Sequence, residues 1–89
     1  RLYARLRART LDLVAGGGDP AEVARAGTIV VRENPFDGVV LGVPLRALHA
    51  TGQARAARLL RREVAARHAE VGAPLPPDLD TAPSSPRKP

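Results

Sequence analysis

The 89 residues suffice for one small domain but not two, and the formal net charge of +5 comes almost entirely from arginine. The chain contains no cysteine, which excludes disulfides and thiolate metal sites, and no apolar run long enough to cross a membrane. We therefore expect a cytoplasmic protein whose positive charge permits contact with nucleic acid or an acidic protein. Because the sequence opens with Arg1 and not methionine, we expect a fragment or a processed chain.

The first two helices are predicted from apolar spacing and from a capping signal. Residues 2–15 carry apolar side chains at helical spacing, and the glycines at 16–18 end that helix. Asp19 is a favourable N-cap, Pro20 suits the first helical position, and Glu22 is placed to reach back to the cap. The second helix is therefore predicted to begin at Pro20.

The end of the second helix contains β-branched residues, which favour strands. A short strand at residues 28–32 is thus the alternative to helix. The cap at Asp19 and the lack of a second strand to pair with favour a helix that ends by about Glu33. The apolar positions of this predicted helix are Val23, Ala24, Ala26, Gly27, Val30 and Val31.

A second proline signal predicts a third helix. Asn34 can act as its cap, with Pro35 at the first position and Asp37 at the third, and the pattern continues to about Thr51. Pro44 falls in the middle, where it removes a backbone hydrogen bond, so we expect a bent helix or two pieces. The predicted buried positions are Val40, Leu41, Leu45 and Leu48.

A tight turn at Gly52 leads to a long fourth helix over residues 53–71. Gly72 accepts the left-handed conformation past the last turn, and Pro74 prevents continuation. The residues predicted to pack this helix pair together are Leu45, Leu48, Gly52, Ala57, Leu60 and Val64, with Ala56 and Leu59 beside them.

The two halves of the chain have the same organisation: a helix, a glycine turn, a second helix and a proline. Two antiparallel helix pairs of about 35 residues each have the period of tetratricopeptide-type repeats. In that arrangement Val23 and Ala57 occupy the position where the two helices of a pair touch. The sequence predicts an all-α, right-handed helical repeat of about four helices over residues 1–80, with a flexible Pro/Ser tail at 81–89.

Residues 33–79, ENPFDGVVLGVPLRALHATGQARAARLLRREVAARHAEVGAPLPPDL, carry the motifs of a known family. They include a proline before a helix, an Ala-Leu-x-x-x-Gly turn, an Ala-rich helix and a closing Glu-Val-Gly followed by Pro and Leu. Over residues 13–80 the chain resembles the bacterial transcriptional activator domain of SARP-type regulators. The matching positions are Pro35, Ala47, Leu48, Gly52, Ala56, Leu60, Glu70, Val71, Gly72, Pro77 and Leu79.

The resemblance implies an interaction module that mediates dimerisation, contacts with RNA polymerase or signals between adjoining domains. It implies DNA binding through a separate winged-helix domain, and neither enzyme activity nor a cofactor. Two alternatives remain. The chain could bind nucleic acid directly through arginines, or it could be a small adapter, since Leu2, Tyr3 and Arg5 resemble the Leu-Tyr-Arg adapters of mitochondria.

The arginines of the fourth helix form the candidate contact site. Arg55, Arg58 and Arg62 share one helix face, and Arg61 lies alongside. They could bind phosphate or an acidic protein, although a solvated helix surface is the simpler interpretation.

No catalytic, cofactor or metal site is predicted. His49 and His68 lie in separate helices without neighbours at metal-ligand spacing. The serines fall in the tail, with no base beside them. The glycines at 16–18 lack the Lys-Ser/Thr ending of a phosphate loop and are followed by Asp19.

Overall fold

A computed structural model describes residues 2–76, and its secondary structure in that range is entirely helical. The four helices are α1 (Leu2–Ala15), α2 (Pro20–Glu33), α3 (Gly42–Ala50) and α4 (Ala54–Glu70). The all-α prediction is confirmed, and the alternative strand at 28–32 is wrong because α2 runs through those residues. The tail at 81–89, Pro77 and Leu79 lie outside the described residues.

Glycines end α1, α3 and α4 in the same way. Gly17, Gly52 and Gly72 have φ angles of 70°, 75° and 70°, a conformation that residues with a Cβ rarely adopt. At each end the following N–H donates to a carbonyl in the last helical turn, as when Gly18 N–H donates to Leu13 O at 2.7 Å. These hydrogen bonds satisfy carbonyls of the final turn that would otherwise lack a donor. The three helices end where the glycine positions in the sequence predicted.

The start of α2 is correct in position, but its predicted side-chain cap is wrong. Asp19 occupies the N-cap and Pro20 begins the helix, yet the Asp19 side chain makes no capping hydrogen bond. Glu22 accepts from Arg9 Nη2 of α1 at 3.1 Å. The acidic residue predicted to close the cap thus contributes an exposed contact between α1 and α2.

The third helix begins later than predicted. Residues 34–41 form turns, and α3 starts at Gly42, so Pro44 lies in the first turn and not in the middle. A proline in the first turn is tolerated because the amide it lacks has no helical partner there. The buried positions are nevertheless correct: Val40, Leu41, Leu45 and Leu48 have at most 8% of their surface exposed.

The helix α2 lies at the centre of the molecule and packs against α1, α3 and α4, while α3 packs against α4. Gly27 allows α2 to approach Pro44 of α3 closely, because a Cβ there would lie 3.0–3.2 Å from Pro44. The main apolar cluster comprises Val23, Ala24, Val31, Leu41, Val43, Leu45, Ala47, Leu48, Ala57, Leu60 and Val64. Both Val23 and Ala57, predicted to lie between paired helices, are therefore buried.

The helix α1 is covered on only part of its apolar stripe. Thr10 is its single fully buried residue, whereas Leu2 and Val14 remain 69% and 46% exposed. Within residues 2–76 no helix combines the length and apolar character needed to cross a bilayer.

Candidate functional site

The fourth helix presents two different faces. Ala57, Leu60, Val64 and His68 recur at intervals of three or four residues and form its buried side. Successive residues turn by about 100° around an α-helix, which places Arg55, Leu59, Arg62 and Ala66 on the opposite side. All four of these are exposed.

Three of the four predicted contact arginines share that outer side. Arg55, Arg58 and Arg62 are exposed, and within residues 2–76 none of them forms an ion pair. Arg61 differs, because it is only half-buried and lies at the flank of the buried face, four residues after Ala57. The structure thus places three arginines without ion-pair partners among residues 2–76 on the outer side of α4 and Arg61 at the edge of that side.

A groove of about 310 Å³ runs between the end of α2 and the middle of α4. Its floor is apolar and buried, and consists of Val31, Pro35, Leu60 and Val64. Its rim contains Arg32, Glu63, Ala66 and Arg67. This groove combines residues from two helices, and sequence reasoning missed it.

The acidic groups at the rim are already engaged. Arg32 donates through Nε to Glu63 Oε1 at 3.0 Å and through Nη2 to Oε2 at 3.1 Å, so α2 and α4 are joined by a two-point contact. The hydrogen bond to Glu63 raises the pKa of the Arg32 guanidinium. Arg67 Nε lies 3.7 Å from Glu70 Oε1. Glu63 and Glu70 are thus paired with nearby arginines. The arginines on the outer side of α4 have no carboxylate partner among residues 2–76.

An exposed leucine lies between the arginines and the groove. Leu59 follows Arg55 by one turn and precedes Arg62 by one turn, and half of its surface (50%) is exposed. Ala66, one turn after Arg62, lines the groove. The sequence pattern grouped Leu59 with the buried stripe. Its position between two outward-facing arginines was the available signal that it faces solvent.

The residues that pack α3 against α4 lie beneath the exposed surface of α4. Leu45, Leu48, Ala57, Leu60 and Val64 are each at most 8% exposed and belong to the main apolar cluster. Gly52 supports the pair differently, through its left-handed conformation in the exposed turn.

A second polar cluster fastens α1 to the turns at residues 34–41. Tyr3 Oη and Arg7 Nε both donate to Asp37 Oδ2, at 2.8 Å and 2.6 Å. The Arg7 hydrogen bond is the largest cause of a lowered pKa for the Asp37 carboxyl. Burial, followed by the neighbouring Asp37, raises the pKa of Tyr3 to about 12. All three groups are satisfied by one another, so we interpret this cluster as structural.

The two histidines have unrelated environments. His68 is 5% exposed; its Nε2 lies 2.7 Å from Pro35 O and its Nδ1 3.3 Å from Pro74 O. Because a carbonyl only accepts, the shorter contact fits donation from Nε2. The Phe36 ring lies 4.8 Å from the imidazole. His49 is in α3, and in the described part of the chain no group of three or more His, Asp or Glu side chains could hold a metal ion.

Comparisons with protein-family models, with curated proteins and with solved structures found no match for this chain. A functional interpretation therefore depends on the outer surface of α4, the adjoining groove and the residue pattern over 13–80.

Proposed function

We propose that this chain is a protein–protein interaction module of a cytoplasmic bacterial transcriptional activator. It acts through dimerisation or through contacts with RNA polymerase or adjoining domains, while a separate domain binds DNA. In this proposal the chain carries no reaction centre and needs no cofactor. The observation that carries it is the apolar groove between α2 and α4, which opens beside the exposed Leu59.

The form of the groove favours a protein side chain as its occupant. Its floor is built from fully packed residues such as Val31 and Leu60, so it does not need to be remodelled before binding. Interfaces gain most of their affinity from a few apolar or aromatic anchors that fill such depressions, with polar groups around them. The paired Arg32 and Glu63 provide a polar rim of this kind.

The stacked helix hairpins support the proposal in a second way. Short links at residues 16–19 and 51–53 return each helix against the one before it, as in tetratricopeptide-type arrays. Such arrays present continuous helix surfaces to protein partners. The pattern from the Ala-Leu-x-x-x-Gly turn to the closing Glu-Val-Gly-Ala-Pro-Leu supports assignment to a transcriptional regulator.

Direct binding of duplex nucleic acid is the second candidate. It is favoured by the exposed positions of Arg55, Arg58 and Arg62, which lack ion-pair partners among residues 2–76. Contacts of this type release counterions, so binding would weaken steeply with salt. Titration of a short duplex at increasing salt measures this activity directly.

The main proposal is tested by a promoter-recruitment assay. The chain is fused to a DNA-binding domain of known operator, and transcription from a promoter carrying that operator is measured in a bacterium. Activation above that of the DNA-binding domain alone is expected. Ala66→Gln, which adds neutral bulk at the groove rim without altering the core, should reduce activation.

Ala4→Gln serves as the matched control, because Ala4 is an exposed helical alanine on α1, away from the groove. Circular dichroism of both variants checks that the helices are retained. No activation by the fusion, or equal activation by the Ala66→Gln variant, would contradict the proposal.

A further inference from the structure

We propose that the partner of this module is an acidic protein segment with an apolar anchor, which binds across α4. The name acidic-partner face is used here for Arg55, Arg58, Leu59 and Arg62 together with the adjoining groove. In this arrangement the anchor contacts Leu59 and the groove, and carboxylates pair with the arginines. The inference rests on the proposed function and adds the chemical class of the partner.

The charge of the face argues for acidic groups on the partner. Arg55, Arg58 and Arg62 project from one side of a single helix and are uncompensated within residues 2–76. The neighbouring carboxylates do not offset them, because Glu63 is bound to Arg32 and Glu70 lies beside Arg67. Complementary potentials of this kind raise association rates and suppress wrong partners.

The apolar part of the face argues for protein over nucleic acid. Leu59 lies among the arginines with 50% of its surface exposed, and the groove beside it has an apolar floor. A phosphate backbone would pair with the arginines but would leave this apolar surface without a partner. No Phe, Tyr or Trp occurs on α4 to stack against bases. An acidic segment with a leucine-like side chain would pair with the arginines and also cover the apolar surface.

A second copy of the chain fits less well than an acidic partner. The chain has a net charge of +5, so two acidic-partner faces placed against each other would repel. Four of the carboxylates in residues 2–76 are already paired with arginines: Glu22, Asp37, Glu63 and Glu70. Self-association of the chain through this face would therefore contradict the proposal.

The test uses a fluorescently labelled synthetic peptide with glutamates at helical positions i, i+3 and i+7 and a leucine among them. Its binding to the full chain is measured by fluorescence anisotropy across a range of salt concentrations. The same peptide with leucine replaced by serine, a lysine-for-glutamate peptide and a short DNA duplex are measured in parallel. The glutamate–leucine peptide is expected to bind most tightly.

Two variants separate charge from apolar contact. Replacing Arg55, Arg58 and Arg62 together by glutamine should weaken peptide binding about tenfold or more at low salt and reduce its salt dependence. Leu59→Ser should weaken binding about fivefold and leave the salt dependence unchanged, because only apolar contact is lost.

The chain offers matched controls for both changes. Ile29 is 52% exposed on α2, close to the 50% of Leu59, so Ile29→Ser removes a comparable side chain outside the face. Arg25→Gln removes an exposed arginine of α2 in the same way. Both controls should bind the peptide as the wild type does, and circular dichroism verifies that every variant keeps its helices.

Three results would overturn the proposal. One is the absence of peptide binding by the wild type, and another is unchanged binding after Leu59→Ser. The third is preference for the duplex or for self-association, the latter followed by sedimentation. Any of these, obtained while the promoter assay still shows activation that Ala66→Gln reduces, rejects the acidic partner but leaves the proposed function standing. Absence of activation by the wild-type fusion in the promoter assay rejects the proposed function.

Discussion

Two short segments of this chain have nearly the same local pattern but adopt different structures. Asp19-Pro20-Ala21-Glu22 and Asn34-Pro35-Phe36-Asp37 each combine a capping residue, a proline and an acidic residue at the third position. The first begins α2, whereas the second begins a series of turns that lasts to residue 41. A capping residue followed by proline is therefore not sufficient by itself to start a helix in this chain.

The second segment is held by partners distant in sequence. Asp37 is bound by Tyr3 and Arg7 of α1, and its Oδ1 also accepts from Val39 N–H at 3.2 Å. In a helix that N–H would donate to Pro35 O. Here the Pro35 carbonyl faces His68 Nε2 at 2.7 Å. The Asp37 side chain thus binds the Val39 N–H, and His68 of α4 binds the Pro35 carbonyl, so both groups that a first helical turn would need are already engaged.

Local propensity acts in the same direction. The segment after Pro20 contains Ala21, Ala24 and Ala26, which favour helix, whereas Gly38 and Gly42 follow Pro35. Each interior glycine costs about 1 kcal/mol relative to alanine. A helix begun at Pro35 would carry this cost and would lose the contacts of Asp37.

The largest effect is expected from removal of the histidine that holds the Pro35 carbonyl. His68→Ala should lower the free energy of unfolding by about 3 kcal/mol, because it leaves a buried acceptor unpaired and opens a cavity. Urea unfolding followed by circular dichroism measures the change. His49→Ala removes a half-buried histidine whose side chain makes no hydrogen bond among the described residues, and it should cost much less. Equal losses would show that His68 does not hold the turns.

The acidic residues of the two segments should differ in importance. Asp37→Ala should lower the free energy of unfolding by about 2 kcal/mol, since two donors lose a charged acceptor. Asp19→Ala should cost less than about 0.5 kcal/mol, because its side chain makes no capping hydrogen bond. Parallel urea titrations of the two variants provide the comparison. A larger loss for Asp19→Ala would reverse the explanation.

The Asp37 contribution should depend on pH. Its pKa is lowered in the folded protein, mainly by the Arg7 hydrogen bond, so the carboxylate stabilises the fold above the ordinary pKa of 3.8. That stability is lost as the pH falls through the folded pKa. The difference in unfolding free energy between the wild type and Asp37→Ala should therefore shrink in acid. A constant difference would mean that packing, and not the charge, makes the contribution.

Adding a side chain where Gly27 of α2 contacts Pro44 should have a smaller effect on stability. Gly27→Ala places a Cβ 3.0–3.2 Å from Pro44, and overpacking of this kind costs about 1–3 kcal/mol. The gain in helix propensity offsets about 1 kcal/mol, which leaves a net loss of about 1 kcal/mol. Gly38→Ala is the matched control, because its Cβ would meet nothing within 4 Å. Thermal unfolding should show a lower midpoint for the first variant only.

The smallest effect is expected on the pKa of a single side chain, Tyr3. Tyr3 is the only tyrosine and the chain has no tryptophan, so phenolate absorbance reports this side chain alone. Its pKa is raised to about 12, so Tyr3 favours the fold fully below pH 10 and loses this contribution as the pH rises through about 12. Asp37→Asn should shift the titration partly back toward 10.0, because burial persists after the charge is removed. An unchanged titration would exclude Asp37 as a cause.

Sequence patterns were sufficient where the controlling interaction is local. The bounds of α1, α2 and α4 follow from apolar spacing, from Pro20 and from the glycines at the helix ends. The burial of Val40 and Leu41 was also predicted correctly, although these residues are not helical. Apolar side chains leave water whichever backbone conformation carries them, so burial is easier to predict than helix bounds.

Tertiary structure decided the rest. The start of α3 depends on Tyr3, Arg7 and His68. Their hydrogen-bond partners in the turns, Asp37 and Pro35, lie 30 to 34 residues away in the sequence. The groove exists only because α2 and α4 pack side by side, and the exposure of Leu59 depends on which side of α4 faces α2 and α3. Local sequence sets what a segment can form, but competition for the same hydrogen-bonding groups by distant side chains determines what it does form.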